Sequence, residues 1–374
     1  MPGPRRAEDD AAMRIFVSEF LTCGAWTAAP QPSLLREGAA MLRAIALDFA
    51  RIAGCRVVAT WDARLESPDL PGVEVLRADG AAREAQLFRK LAAESDATFV
   101  IAPETGGLLA ERRRTLDGLG ARALGSTAAA IEATADKLRL ARRLAERGVR
   151  TIPTRPFDPA VMGPSFDFPA VLKPRDGAGS LRTWLLAGPA DLDRARGDFS
   201  PPEGDAPGIV QPFVPGRAGS VGALIAEGGS NIELLPVAEQ RLSDDGRLRY
   251  LGGRVPAESI DAGPIAQLVH DALAAVPGLA GYVGCDVVVP RDSPHAPLLV
   301  EINPRLTTSY LGYRALTEDN LAERMLRADR DRPPVRWHGE MIEFDAAGTV
   351  SGAASSKNAE FARLAAQPFI AQSL

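Results

Sequence analysis

The chain of 374 residues predicts a parallel-sheet α/β unit followed by α+β structure, and three observations carry that prediction. Over residues 13 to about 125, runs of strand character alternate with stretches of helical apolar spacing. Repeated strand, helix, strand order implies a parallel sheet with helices on both faces. After Pro153 the chain turns to short strands separated by Pro and Gly, and helical spacing returns only near 265–275 and after Asn320. Near 281–303, two apolar strands flank a polar loop at 291–296, the pattern of an antiparallel hairpin.

In chain order, residues 14–20 (RIFVSEF) read as a strand, 33–53 as a helix, 55–60 and 73–76 as strands, 82–93 as a helix and 97–102 as a strand. No GxGxxG follows the first strand, so the dinucleotide fingerprint is missing there. Gly125-Ser126-Thr127 opens a helical stretch punctuated near Thr134 and running to Gly148, with Pro153 as its stop. Strands are then expected at 170–173, 182–186, 209–214, 221–226, 233–238, 282–289 and 298–302. From about Pro333 a tail holds one strand at 340–344 and an Ala-rich helix.

Composition excludes several chemistries. A formal net charge of -5 argues against wholesale wrapping of nucleic acid. Three scattered cysteines, Cys23, Cys55 and Cys285, form no disulfide framework, and His270, His295 and His338 form no zinc motif. GxSxG is absent, and no apolar run reaches the roughly 20 residues that span a bilayer. The first twelve residues, charged and Pro-containing, read as a solvated tail, and the expectation is a cytoplasmic protein with no membrane partner. Of 43 Lys plus Arg, only Lys90, Lys137, Lys173 and Lys357 are Lys. Where nearly every cation is Arg, a retained Lys hints at a need for a compact ammonium.

Pairing about the loop at 291–296 sets Asp286 directly across from Glu301, with Asn303 on the same face. Opposed like charges need an offset, and a hard divalent cation such as Mg²⁺ takes carboxylates, an amide oxygen and substrate phosphates. The alternative is an edge hairpin whose acids face water. In 171–180 (VLKPRDGAGS) a strand delivers Lys173, and Gly177 and Gly179 let backbone amides approach an anion. The following LRTWLL reads as extended, which favours a flap between strands over a Rossmann turn, and there is no GxxxxGK[ST] loop. The competing reading is an ordinary glycine hairpin. In 209–221 (IVQPFVPGRAGSV) a strand runs into a turn that can offer backbone groups to an adenine edge while Phe213 packs; a plain strand end is the alternative.

Taken in order, Asp136-Lys137, VLKPRDGAGS, QPFVPG, the acid of GCDVVV and EINPR resemble the ATP-grasp superfamily over about residues 13–330. The resemblance implies an N-terminal α/β domain (13–125) and two α+β subdomains (126–208 and 209–332) clamping ATP, with 1–12 and 333–374 as tails. It implies Lys137 and Lys173 on phosphates, Gly177, Gly179 and Ser180 as the flap, and Gln211, Pro212, Phe213 and Val214 at adenine. Asp286, Glu301 and Asn303 would hold Mg²⁺, with Mn²⁺ as the alternative, and Arg305 and Arg254 would steady the transferring phosphoryl group. Family relatives carry an acid after the hinge glycine to bind ribose, whereas Gly216 is followed here by Arg217 and Ala218.

FVSEFLTCGA, APETGGLL, GYVGCDVVV and EINPRLTTSYLGYR further resemble the tyramine-glutamate ligases within that superfamily. This implies ligation of a small-molecule carboxylate, glutamate, to an aromatic amine or amino acid through an acyl phosphate, in biosynthesis of a methanofuran-like one-carbon carrier. Glu19, Glu104, Thr307, Thr308, Ser309 and Tyr310 lie where such substrates would be contacted. Two other readings stand beside it: an ATP-grasp phosphotransferase, and a noncatalytic nucleotide-binding protein. A homodimer is the expected assembly.

Overall fold

Alternate side chains of the first strand, β1 (Met13–Glu19), go to two different cores. Ile15 and Val17 pack with Leu42, Ile45 and Phe49 of helix α1 (Pro32–Ala50), while Phe16 packs with Phe88 and Leu91 of α2 (Ala81–Glu94). This is the period-two signature of a strand buried on both faces. β2 (Cys55–Asp62), β3 (Val73–Ala78) and β4 (Ala97–Ile101) complete a parallel sheet in the order β3-β2-β1-β4. The computed structural model describes residues 12–158, 166–177, 179–199, 208–229, 231–258, 260–327 and 333–352. The Ala-rich helix expected in the tail lies outside these residues.

Helix α3 (Leu108–Gly118), which sequence spacing does not mark, leads into α4 (Ala128–Ala135) and α5 (Lys137–Glu146). The expected punctuation falls at Asp136, which leaves helical geometry and caps α5 by accepting the Arg139 N–H at 3.0 Å. The stop is not Pro153: α5 ends at Glu146, and Gly148 takes the left-handed φ of 70° that closes such helices.

A second sheet, antiparallel, joins β5 (Arg155–Phe157), β6 (Ala170–Pro174), β7 (Trp184–Leu186) and β8 (Gly208–Pro212) in the order β5-β8-β6-β7. α6 (Pro189–Arg196) buries Leu192 and Ala195 against it. The extended run expected over 182–186 starts only at Trp184, because Ser180 and Arg182 adopt positive φ.

The third sheet is built from β9 (Gly216–Ile225), β10 (Ile232–Leu234), β11 (Ala238–Leu242), β12 (Tyr250–Val255), β13 (Gly281–Pro290), β14 (Leu298–Asn303), β15 (Ile342–Asp345) and β16 (Val350–Ser351). Its order is β14-β13-β9-β11-β12-β15-β16, with β10 on β9. Pro236 lies between β10 and β11, where a single strand over 233–238 was expected. One face packs on α7 (Ala262–Ala274) through Val283, Cys285 and Val287. The other, through Tyr282 and Phe344, joins α8 (Ser309–Ala315), α9 (Leu321–Leu326) and α1 in the core that contains Ile15 and Val17.

Two buried carboxylates tie this core together. Asp48 of α1 accepts hydrogen bonds from Tyr310 Oη at 2.7 Å and from Arg314 Nε and Nη2 at 2.9 and 2.7 Å, while Asn320 donates to its carbonyl at 2.7 Å. Tyr310 is therefore a core residue with a fully buried hydroxyl, and the expected substrate contact is corrected. Glu19 ends β1 by accepting the N–H groups of Leu21 and Thr22 and the Thr22 hydroxyl. It lies under Gly38, where a Cβ would come within 2.7 Å of its carboxyl, so Glu19 too is spent on the fold.

Asp48→Ala removes the buried carboxylate shared by Tyr310 and Arg314 and is expected to destabilise the protein by about 3–5 kcal/mol, read as a lower denaturant midpoint. Burial pushes Glu19 from 4.5 up to about 7, against the hydrogen bonds that favour its charged form. The stability tied to its neutral carboxyl is present below about pH 4.5 and lost as pH rises through about 7. Denaturation of wild type and Glu19→Gln across that interval should show the variant gaining about 3 kcal/mol relative to wild type, and parallel curves would exclude the titration.

Candidate functional site

The two antiparallel sheets and the start of α1 enclose a cleft of about 870 Å³. Its acidic side comes from the β13–β14 hairpin, in which Asp286 directly opposes Glu301 and Gly284 opposes Asn303. A bulge follows at once, so that Val287 faces Leu299. The expected pairing therefore holds on the site side of the bulge. Strand alternation sends Cys285, Val287 and Ile302 into the core beneath α7 and leaves Asp286, Glu301 and Asn303 on the cleft wall.

Gln240 Nε2 donates to Asp286 Oδ1 at 2.8 Å and Asn303 Nδ2 to Oδ2 at 3.2 Å. Burial, then the facing Glu301, push the Asp286 carboxyl well above the usual range. Burial acts on Glu301 in the same sense, but the ammonium groups of Lys137 and Lys173 outweigh it and hold Glu301 low. Lys137 Nζ lies 3.6 Å from Glu301 Oε2 and donates to the Gly177 carbonyl at 2.6 Å. Lys173 is itself 8% exposed, and burial, helped by the charge on Lys137, lowers it to about 8. Two opposed acids with an amide beside them are hard oxygen donors that fit Mg²⁺. Among the described residues no group of three or more His, Cys, Asp or Glu is assembled, so substrate and water oxygens would have to complete the shell.

The glycine loop reaches across the cleft. Gly179 has φ 67°, and a Cβ there would meet Leu34 at 3.0 Å, so the loop closes on the start of α1 with no room for a side chain. Asp176 accepts the Gly106 N–H at 3.1 Å, and Arg175 Nε donates to Asp136 at 2.8 Å, anchoring the loop on both sides. Gly177 and Ser180 line the cleft with it. At the end of β8, Gln211 is buried and donates to Thr154 Oγ1 at 2.8 Å, and the Phe213 N–H is taken by the Pro169 carbonyl. Pro212 and Val214 line the same wall.

Arg305 enters from the segment after β14. Its Nε lies 3.0 Å from Glu104 Oε1 and its Nη1 donates to the Leu306 carbonyl at 3.1 Å. Glu104 is buried behind it and does not line the cleft, so the expected substrate contact is corrected to a residue that positions Arg305. Arg254 is also corrected. Its Nε and Nη2 donate to Glu239 at 3.0 and 2.7 Å, and it is not on the cleft wall. It sits one residue out of phase: Gly253, across from Gln240, shares the Asp286 face, and Arg254 takes the other.

Thr307, Thr308 and Ser309 do line the cleft. Thr307 hydrogen-bonds Tyr282 Oη at 2.9 Å, Thr308 donates to Glu37, and Ser309 donates to Ser220 at 3.3 Å. Glu37, Ser220, Gln240 and Tyr250 are wall residues that sequence reading missed. Glu37 hides in the regular spacing of α1. The other three sit in strands that carry no motif, and only the sheet order brings them beside Asp286.

A sequence profile described as an ATP-grasp domain matches residues 134–309, and one described as a pre ATP-grasp domain matches residues 55–131. The chain is 30% identical over 138 residues to the tyramine–L-glutamate ligase of Methanocaldococcus jannaschii, a stretch covering 37% of this chain and 41% of that relative. An ATP-grasp superfamily protein from Archaeoglobus fulgidus superposes with a TM-score of 0.64 at 26% identity, over 88% of this chain and 92% of the other. L-amino acid ligase from Bacillus licheniformis superposes with a TM-score of 0.66 at 15% identity, over 88% and 79%, which shows a shared fold. No helix among the described residues is long and apolar enough to cross a membrane. Both profiles, the superpositions over 88% of the chain and the three-sheet architecture agree: the chain carries an ATP-grasp domain over residues 134–309, preceded by a pre ATP-grasp domain, and has the ATP-grasp fold.

Proposed function

We propose that the protein is an ATP-dependent carboxylate–amine ligase that forms an amide through an acyl phosphate. The observation that carries this reading is the convergence of Lys137, Lys173, Arg305 and the Asp286–Glu301 pair on one cleft. A carboxylate is a poor electrophile. One of its oxygens bonds to the γ-phosphorus of ATP as the bond to the β,γ-bridging oxygen breaks and ADP departs. The amine nitrogen then bonds to the acyl carbon, the bond from that carbon to the phosphate oxygen breaks, inorganic phosphate leaves with the electron pair, and the nitrogen gives up a proton.

The chain's own part is electrostatic positioning. Lys137 and Lys173 offset phosphate charge from the side of the glycine loop, which screens the phosphates from water. Arg305, held by Glu104, faces the transferring phosphoryl group, where a preorganised cation costs no reorganisation at the moment of reaction. Asp286, Glu301 and Asn303 would hold Mg²⁺, which supplies Lewis-acid neutralisation of phosphate charge when bound. Pro212 and Val214 offer main-chain groups to the base. The named activity of the M. jannaschii relative supports L-glutamate as the carboxylate and tyramine, an aromatic amine, as its partner.

ADP release measured with L-glutamate and a panel of amines, with mass spectrometry of products, should show ADP and amide in equal amounts. ADP formed without amide at saturating amine would leave a phosphotransferase instead. Asp286→Asn and Glu301→Gln should each lower turnover by about a hundredfold or more with an unchanged circular dichroism spectrum, and near-wild-type turnover in both would discard the metal assignment.

A further inference from the structure

The cleft wall also carries Glu37 of α1, Tyr250 of β12, and Thr308 and Ser309 at the start of α8. The Glu37 side chain is half-buried on the cleft wall, and among the described residues Thr308 hydrogen-bonds it, at Oε1. The Tyr250 hydroxyl is shielded from solvent yet completes no hydrogen bond of normal geometry with a described residue, although Ser309 lies beside it. A buried, unpartnered hydroxyl is costly unless a ligand supplies the partner.

The charge balance names the partner. Arg305 already has Glu104 in direct contact at 3.0 Å, so Glu37 is not needed to neutralise it. Asp286 and Glu301 have Lys137, Lys173 and the proposed cation. Glu37 is left as a cleft-wall carboxylate with a hydroxyl donor on one oxygen, and burial pushes it above the usual carboxylate range against the pull of Thr308 and Arg305. A phosphate or carboxylate would be repelled there. A primary ammonium presents three donors and no acceptor, which matches a carboxylate oxygen with two hydroxyl oxygens.

We propose that Glu37, Tyr250 and Ser309 form the subsite that binds the amine substrate as its primary ammonium, next to the position Arg305 gives the acyl phosphate, and that the Glu37 carboxylate takes one ammonium proton so that the freed nitrogen lone pair can attack. This assignment rests on the ligase reading, and it makes Glu37 a residue that selects amines over alcohols of the same shape.

The test uses the full chain loaded with Mg²⁺ and a non-hydrolysable ATP analogue. Calorimetric titration with tyramine and with its neutral counterpart 4-hydroxyphenylethanol should show wild type preferring the amine by about tenfold or more, and Glu37→Gln losing that preference with about a hundredfold weaker tyramine binding. Tyr250→Phe should weaken tyramine binding by about five- to tenfold and guards against a folding defect in the first variant. In turnover with ATP and L-glutamate, hydroxylamine, uncharged at neutral pH, traps the acyl phosphate as a hydroxamate. The ratio of tyramine to hydroxylamine capture should fall about a hundredfold in Glu37→Gln. Equal tyramine binding by wild type and variant, no tyramine binding by wild type, or loss of both captures in step would overturn the subsite. Glu37-dependent tyramine binding with no hydroxamate from wild type would instead defeat the ligase reading and leave the ammonium site standing.

Discussion

Two carboxylates opposed across adjacent antiparallel strands, on the wall of the cleft, set the terms for the rest of the site. Asp286 and Glu301 share one face in direct register, where both cannot be charged without compensation. The protein resolves the conflict asymmetrically. Lys137 and Lys173 hold Glu301 in its charged form, while Gln240 and Asn303 hydrogen-bond Asp286, the partner that burial drives toward neutrality. A divalent cation fits the same imbalance, and so does the polyanionic phosphate chain that would follow the lysines. The glycine loop, whose Gly177 carbonyl accepts from Lys137, is thereby coupled to the hairpin through one ammonium.

The same constraint reaches the N-terminal unit. Arg305, two residues beyond Asn303, is gripped by Glu104, which follows β4. β1 lies between β2 and β4, so the chain reverses direction across the sheet at that point, and crevices outside the carboxyl ends of such strands are where α/β sheets take ligands. The parallel sheet contributes no nucleotide fingerprint here. It supplies Glu104 and, through α1, Glu37 and Leu34, so that the wall opposite the hairpin is built by a different part of the chain. The Asp48 network, which locks α1 to α8 and α9, fixes the distance between those walls.

What was legible in the sequence divides along physical lines. Local pattern carried the parallel unit, the hairpin and the Asp286–Glu301 register, because period-two alternation and a short loop leave few alternatives. The bulge that shifts Val287 onto Leu299 could not be seen, but it falls on the loop side of the acids and spares their pairing. Identity at a motif did not carry orientation. Glu19 and Tyr310 sit in stretches that resemble a ligase, yet one terminates a strand and the other buries its hydroxyl on Asp48. Arg254 was placed by its neighbourhood, and a phase difference of one residue on β12 turned it to Glu239. Glu37 and Tyr250 carried no signal, since a lone acid on a helix or a lone aromatic on a strand acquires meaning only when sheet order puts it beside a cleft.

The scarcity of lysine acquires a physical meaning at this site. Lys90 is 65% exposed and 3.9 Å from Glu94, an ion pair that arginine would make as well. Lys137 and Lys173 stand in an enclosed space beside Glu301, where charge must be compact enough to share one carboxylate and still face a phosphate. A guanidinium would hold such a carboxylate bidentately through a planar fork and withdraw from the cleft with it, as Arg175 does with Asp136 and Arg314 with Asp48. Arginine in this chain locks carboxylates in place, whereas the two cleft lysines leave theirs open to a metal and a nucleotide.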